Sequence, residues 1–261
     1  MAKRFSELSL EFENINGVSD IKNMYMTPPL RVMRPFFEDG FTEVMIMSSS
    51  PGLLEGDSQK YDFNAKDNTN VKIISQSYEK IHPMNENESA KRDTKISVGK
   101  NSTLICSFLP TIMFKDSRFL SNTKIKLEDD SSKLVFAESF VAGRLGKNES
   151  FLFREFKSSI EAKIDDELIY FENSKIEPTQ IAYNEIGFFE GFDHFASVCI
   201  FNFRHIENLN QKIHDTLKEQ EDILDIRFGV SSTYRGDTQV RILAKMGQNL
   251  MQAIELMIEI L

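Results

Sequence analysis

From the N-terminus to about residue 200, apolar side chains come in short alternating runs separated by polar turns. Leu8, Leu10 and Phe12 alternate, as do Tyr61, Phe63 and Ala65, and denser runs stand at "STLICSFLPTIMF" and "KLVFAESFVAG". A period of two with recurrent turn residues predicts many short strands, each turning one face to a core. No fixed repeat length is visible, so the pattern alone does not specify a regular solenoid. The stretch His82 to Asp93, "HPMNENESAKRD", holds one large apolar residue, Met84, and reads as a mobile surface loop.

Beyond residue 200 the period changes. Ile206, Leu209, Ile213 and Leu217 recur every three or four residues and predict one face of a helix. Leu224, Ile226, Phe228 and Val230 alternate like a strand. Asp237 then reads as the N-cap of a last helix, whose stripe is Leu243, Met246, Leu250, Ile254, Met257 and Leu261. Ile242, Met251, Ile258 and Ile260 widen that stripe. Two uses fit so broad a face: packing across the strands, or holding a partner protein through adaptable methionines. The organisation expected is a single domain over 1–261, with a β-rich body over 1–200 and a helix–strand–helix part over 201–261.

Composition narrows the class. With 261 residues, 41% of them apolar, 22 Phe and no Trp, the chain can bury a sizeable core. The net charge of −9 and the lack of a Lys/Arg block argue against nucleic-acid binding. The start "MAKRFSELSLEF" is basic but has no continuous apolar stretch, and no apolar run is long enough to span a bilayer. A cytoplasmic protein is the expectation. Cys106 and Cys199 lie far apart in strand-like surroundings and read as buried thiols rather than a disulfide.

Candidate chemistry begins at "SSSPGLLEGDSQKYDF", Ser48 to Phe63. Gly52 and Gly56 have the gap that opens a phosphate loop, but Asp57-Ser58 follows where Lys and Ser or Thr are needed, and an aspartate repels the anion. The alternative is a tight corner in which glycine supplies positive φ and Asp57 is held at the entry to the next strand. The four histidines, His82, His194, His205 and His214, have no ligand spacing, and no nucleophile elbow is present. Glu138 interrupts an apolar run and must be solvated, paired or coordinating. Arg144 is the obvious partner; the alternative is a carboxylate lining an internal passage.

Taken together, five ordered motifs resemble the urease accessory protein family UreD, called UreH in some bacteria. They are "TPPLRVMRPFFEDG", the Gly52–Asp57 turn, "SQSYEK" with Gln76 and Lys80, "PTIMFKDSRF", and "AESFVAGRLGKNESF", covering about residues 27 to 151. Pro51, Glu55 and Asn148 depart from the family pattern. Later, "DHFASVCIFNF" and "SSTYRGDTQ" carry a weaker likeness. The resemblance implies a mostly β fold of irregular helical winding, an elongated stack of many short strands with a small C-terminal helical part of about two helices. It also implies a non-catalytic role, bridging the urease apoprotein to UreF and the GTPase UreG in a dimeric hetero-oligomer. Nickel then passes in transit without a tightly bound cofactor. A conduit should use weak oxygen donors, because a softer cage would retain the ion. The expected polar passage is lined by Asp57, Gln76, Glu138 and Arg144. The expected partner face is Leu243, Met246, Leu250, Ile254 and Met257. A carboxylate-dependent hydrolase on a β-rich fold is the alternative activity, and a structural, adhesin-like β protein is a third class.

Overall fold

The computed structural model describes residues 3–261. The chain opens with β1 (Phe5–Ile15), β2 (Val18–Met26), β3 (Leu30–Val32), β4 (Phe36–Glu38) and β5 (Phe41–Ser48). Next come β6 (Ser58–Ala65), β7 (Asn70–Ser75), β8 (Lys80–Ile81), β9 (Ala90–Val98) and β10 (Thr103–Ser107). These are followed by β11 (Thr111–Met113), β12 (Arg118–Leu127), β13 (Lys133–Val141), β14 (Glu155–Ile164), β15 (Glu167–Ile176) and β16 (His194–Phe201). The C-terminal part holds α1 (Leu209–Gln220), β17 (Ile226–Ser232), β18 (Thr238–Ala244) and α2 (Gly247–Ile258). About half of the residues are in strands and about a tenth in the two helices, which makes the fold mostly β.

Successive strands alternate between two sheets, and this alternation produces the winding. β6, β9, β12 and β14 run parallel in the first sheet. β5, β7, β10 and β13 run parallel in the second. Parallel neighbours require a crossover, and here the crossover is a strand of the opposite sheet. Ala65 pairs with Val98, Val98 with Leu127 and Leu127 with Ile164, so successive coils are 33, 29 and 37 residues long. Unequal coils explain why no repeat is visible in the sequence. Antiparallel strands close the stack: β2 and β15 flank the first sheet, and β16, β18 and β17 extend the second beyond β13.

Apolar side chains from both sheets meet between them. Leu8, Leu10, Phe12 and Phe63 are fully buried there, and Tyr61 nearly so, as their alternation requires. The helices cover the other face of the second sheet over β13, β16 and β18, where Val135, Ala137, Val198 and Val240 meet Leu217, Leu250 and Ile254. Cys106 and Cys199 are buried free thiols on either side of Phe136 in register.

Two local expectations are corrected. The final helix does not begin at Asp237: Thr238–Ala244 is β18, and α2 starts only at Gly247. Leu243 falls on the helical stripe of Met246 and Leu250, but Val240, Ile242 and Ala244 alternate with a strand's period, and pairing on both sides with β16 and β17 decides the matter. Asp237 accepts the Asn202 N–H at 2.9 Å and pairs with Arg204 instead of capping a helix. The polar segment His82–Asp93 also yields part of itself to β9, which starts at Ala90, and Arg92 enters the interior.

Candidate functional site

Between the sheets, a layer of polar side chains separates the core around Leu8, Phe12 and Phe63 from a second apolar cluster that holds Phe119, Phe140, Phe153 and Phe156. In the first sheet, Ser6, Gln59, Arg92, Ser121, Ser158 and Ser174 are register partners across six adjacent strands. Three of them follow an apolar inward residue by two: Ala90 then Arg92, Phe119 then Ser121, Phe156 then Ser158. In the second sheet Glu138, Ser197 and Arg241 are likewise in register on β13, β16 and β18. In-register pairing, parallel from β1 through β14 and antiparallel at β15 and along β13, β16 and β18, turns one inward polar position per strand into a row that crosses the molecule.

The contacts along this layer fall into three hydrogen-bonded groups. Arg92 donates from Nε to Gln59 Oε1 at 2.9 Å and from Nη2 to Glu79 Oε2 at 3.3 Å, and Gln59 Nε2 donates to the same Glu79 oxygen at 2.9 Å. The Arg92 guanidinium lies over Tyr61 and Phe119, 5.3 and 5.4 Å from their ring centroids. Ser121 donates to Glu138 Oε1 at 2.5 Å, and Ser158 donates to Glu138 Oε2. Further along, Glu172 accepts from Tyr170 at 2.5 Å, Ser174 at 3.0 Å and Ser197 at 3.1 Å. Gln239 completes the line, donating to Ser197 at 2.8 Å and accepting from the Cys199 thiol.

Two small cavities, about 40 and 30 Å³, lie along the layer, and both are lined by Arg92, Phe108 and Leu109. Glu79 faces the first, and Glu138, Ser121 and Ser139 face the second. Space of this size admits a water or a bare ion but not a sugar ring. The surface that Glu138 retains therefore faces a cavity within the protein. Burial drives its carboxyl above the usual range, against the two serine hydroxyls and Arg92, which favour the charged form, while Glu172 adds to the rise.

The sequence-derived site residues are not brought together. Glu138 lies in the layer, but its partner is not Arg144. Arg144 makes a two-pronged pair with Glu149 and lies 4.4 Å from the centre of the Phe114 ring. The Gly143 backbone makes this turn possible, since a Cβ there would sit 1.3 Å from the Glu149 carbonyl oxygen, and Asn148 takes the left-handed conformation at φ 56°. Asp57 lines neither cavity. It is buried at the start of β6, where it accepts the Arg4 and Leu54 N–H groups at 2.9 and 3.0 Å and pairs with the Arg4 guanidinium at 2.8 Å. Gly52 stands in the same corner at φ 138°, where a Cβ would meet the Lys80 carbonyl oxygen at 2.2 Å. Gln76 is exposed just beyond β7, its N–H donated to the Ile46 carbonyl.

The expected partner face is also redistributed. Leu250, Ile254 and Met257 are fully buried against the second sheet, so this side of α2 is core. Leu243 belongs to β18, and Met246 is 58% exposed just before α2. Glu79, Arg92 and Glu172 were missed because nothing local marks them: Arg92 joins the layer through strand register, while Glu79 reaches it from just before β8 and Glu172 from β15. The histidines stay apart: His82 contacts the Pro51 carbonyl, His194 is buried at the start of β16, and His214 lies beside Asp215. Among the described residues, no three His, Cys, Asp or Glu side chains are grouped to hold a metal ion, and no helix is long and apolar enough to cross a membrane.

The model of the UreD urease accessory protein family matches residues 5–261. Urease accessory protein UreD of Acetivibrio thermocellus is 34% identical over 258 residues, 98% of this chain and 97% of that protein. UreH of Helicobacter pylori strain J99 is 37% identical over 188 residues, 72% of this chain and 70% of its own length. UreH of Helicobacter hepaticus is 32% identical over 239 residues, 91% and 90% of the two chains. A match of this extent, with the motifs from Thr27 to Phe151 inside it, makes this chain a member of the UreD family of urease accessory proteins.

Proposed function

We propose that this chain serves urease maturation as a non-catalytic scaffold, working with UreF and the GTPase UreG to pass nickel to the urease apoprotein in a dimeric hetero-oligomer of the cytoplasm. Family membership supports the role in urease maturation. The observation that supports the conduit is the polar layer, where Glu79, Glu138 and Glu172 and a series of hydroxyls form an oxygen-rich line through an otherwise apolar sandwich. Oxygen donors bind Ni²⁺ more weakly than an imidazole or thiolate cage, so an ion meeting them one or two at a time is handed on. Arg92 sits between Glu79 and the second cavity, and its positive charge must move aside or be offset by the neighbouring carboxylates as a cation passes.

The test is reconstitution with UreF, UreG and urease apoprotein, followed by GTP addition and measurement of nickel in the urease. E138A and E172A should each lower the nickel delivered while co-purification with UreF remains intact. Wild-type delivery by the double variant would remove the layer from the path. Loss of the UreF complex would show that these carboxylates hold the scaffold rather than guide the ion.

A further inference from the structure

The helices cover only part of the outer face of the second sheet. Over β5, β7 and β10 that face is only partly covered, bounded by the flank of α2 on one side and the β4–β5 hairpin on the other, and it forms a groove of about 540 Å³. Its apolar floor comes from Phe41, Ile105, Phe203 and Ile258. Leu261 adds to the apolar lining at the end of the chain. Both walls are acidic: Glu38 and Asp39 on the hairpin tip face Glu255 and Glu259 across the groove.

The two cations in the groove are already engaged. Lys72 pairs with Glu255 at 2.7 Å and reaches Glu43 at 3.8 Å, and Lys133 lies 5.7 Å from the Phe203 ring centroid. Glu38, Asp39 and Glu259 are exposed and make no ion pair among the described residues. An apolar floor flanked by three unpaired carboxylates, Glu38, Asp39 and Glu259, fits a segment with an apolar face and flanking Lys or Arg. The position favours a helix, because α1 and α2 already form an incomplete layer on this face and another helix beside α2 would extend it. A second copy of this chain is a poor fit, since its net charge of −9 is repelled by the acidic walls.

We propose that this groove docks a basic amphipathic helix of a protein partner. It lies on the opposite face of the second sheet from the polar layer, so docking and passage of an ion use different sides of the same strands.

The test uses a fluorescein-labelled 18-residue peptide with leucine on one helical face and lysine elsewhere, and a matched peptide with glutamate for lysine. Fluorescence anisotropy at about 0.1 M salt, where exposed charges are still felt over about 10 Å, should show binding of the basic peptide alone. The triple variant E38K/D39K/E259K should weaken it about tenfold or more. A control with the same charge change far from the groove, E86K/E185K/D222K, should leave affinity within about twofold. Hydrogen exchange should show protection over Phe36–Glu43 and α2. The proposal is overturned if both triples weaken binding equally, if the acidic peptide binds as well as the basic one, if neither binds, or if protection falls elsewhere. Sedimentation of the wild type as a dimer that E38K/D39K/E259K dissociates would assign the groove to self-association and overturn it as well.

Discussion

Two buried carboxylates in this molecule are held by opposite means. At the Gly52–Asp57 corner, Asp57 accepts two backbone N–H groups and a guanidinium, so its charge is fully matched and the start of β6 is tied to Arg4 just before β1. In the polar layer, Glu138 receives only two serine hydroxyls, and burial favours its neutral form. Matched charge makes a fixed joint. A carboxylate held by rotatable hydroxyls can change protonation or exchange partners without dismantling the strands around it.

Removing the joint should have the largest effect. D57A leaves the Arg4 guanidinium and two N–H groups without their acceptor, and urea denaturation should show a loss of about 2–3 kcal/mol. A loss well below 1 kcal/mol would mean that the corner is no more rigid than the layer. S121A and S158A each withdraw one donor from Glu138 and should cost about 1–2 kcal/mol apiece at neutral pH. In an E138Q background the serine substitutions should cost less, and a double-mutant cycle reads that coupling; equal costs in both backgrounds would show that the hydroxyls serve something other than the carboxylate.

E138Q by itself should change the pH dependence more than the stability at any one pH. Because the folded-state pKa of Glu138 lies above the ordinary 4.5, its own contribution to stability is fully present below that value and is lost as pH rises through the folded pKa. The glutamine variant should lack this decline, so it gains on wild type between pH 4.5 and neutrality. Parallel stability profiles would show that Glu138 ionises as freely in the folded protein as in the unfolded chain. R144A should have the smallest effect, because its pair with Glu149 lies at the surface; little change in melting temperature, reduced further by salt, is expected.

The strands were legible because their inward faces are uniformly apolar for three or more positions, as at Leu8, Leu10 and Phe12. The coil length was not legible, since the connections between paired strands differ in size. Glu138 stood out because it breaks an apolar run, whereas Arg92 was concealed within a stretch so polar that it reads as loop. Arg144 follows Glu138 by six residues and is the next cation along the chain, but the turn at Gly143 sends it to Glu149 instead. The overlong final helix has a similar cause: Leu243 prolongs the helical stripe of Met246 and Leu250 while apolar residues at 240, 242 and 244 alternate as a strand, and only the neighbouring strands decide between the two.

The unequal coils determine where the chain tolerates changes in length. Turns absorb the difference between one coil and the next, so an added residue at Asp129–Ser131, between β12 and β13, shifts no side chain across a sheet. One residue added inside β9 would turn Arg92 toward solvent and bring Lys91 or Asp93 into the sandwich, breaking the row at its third strand. Natural variation in the length of this protein should therefore gather at the ends of the coils.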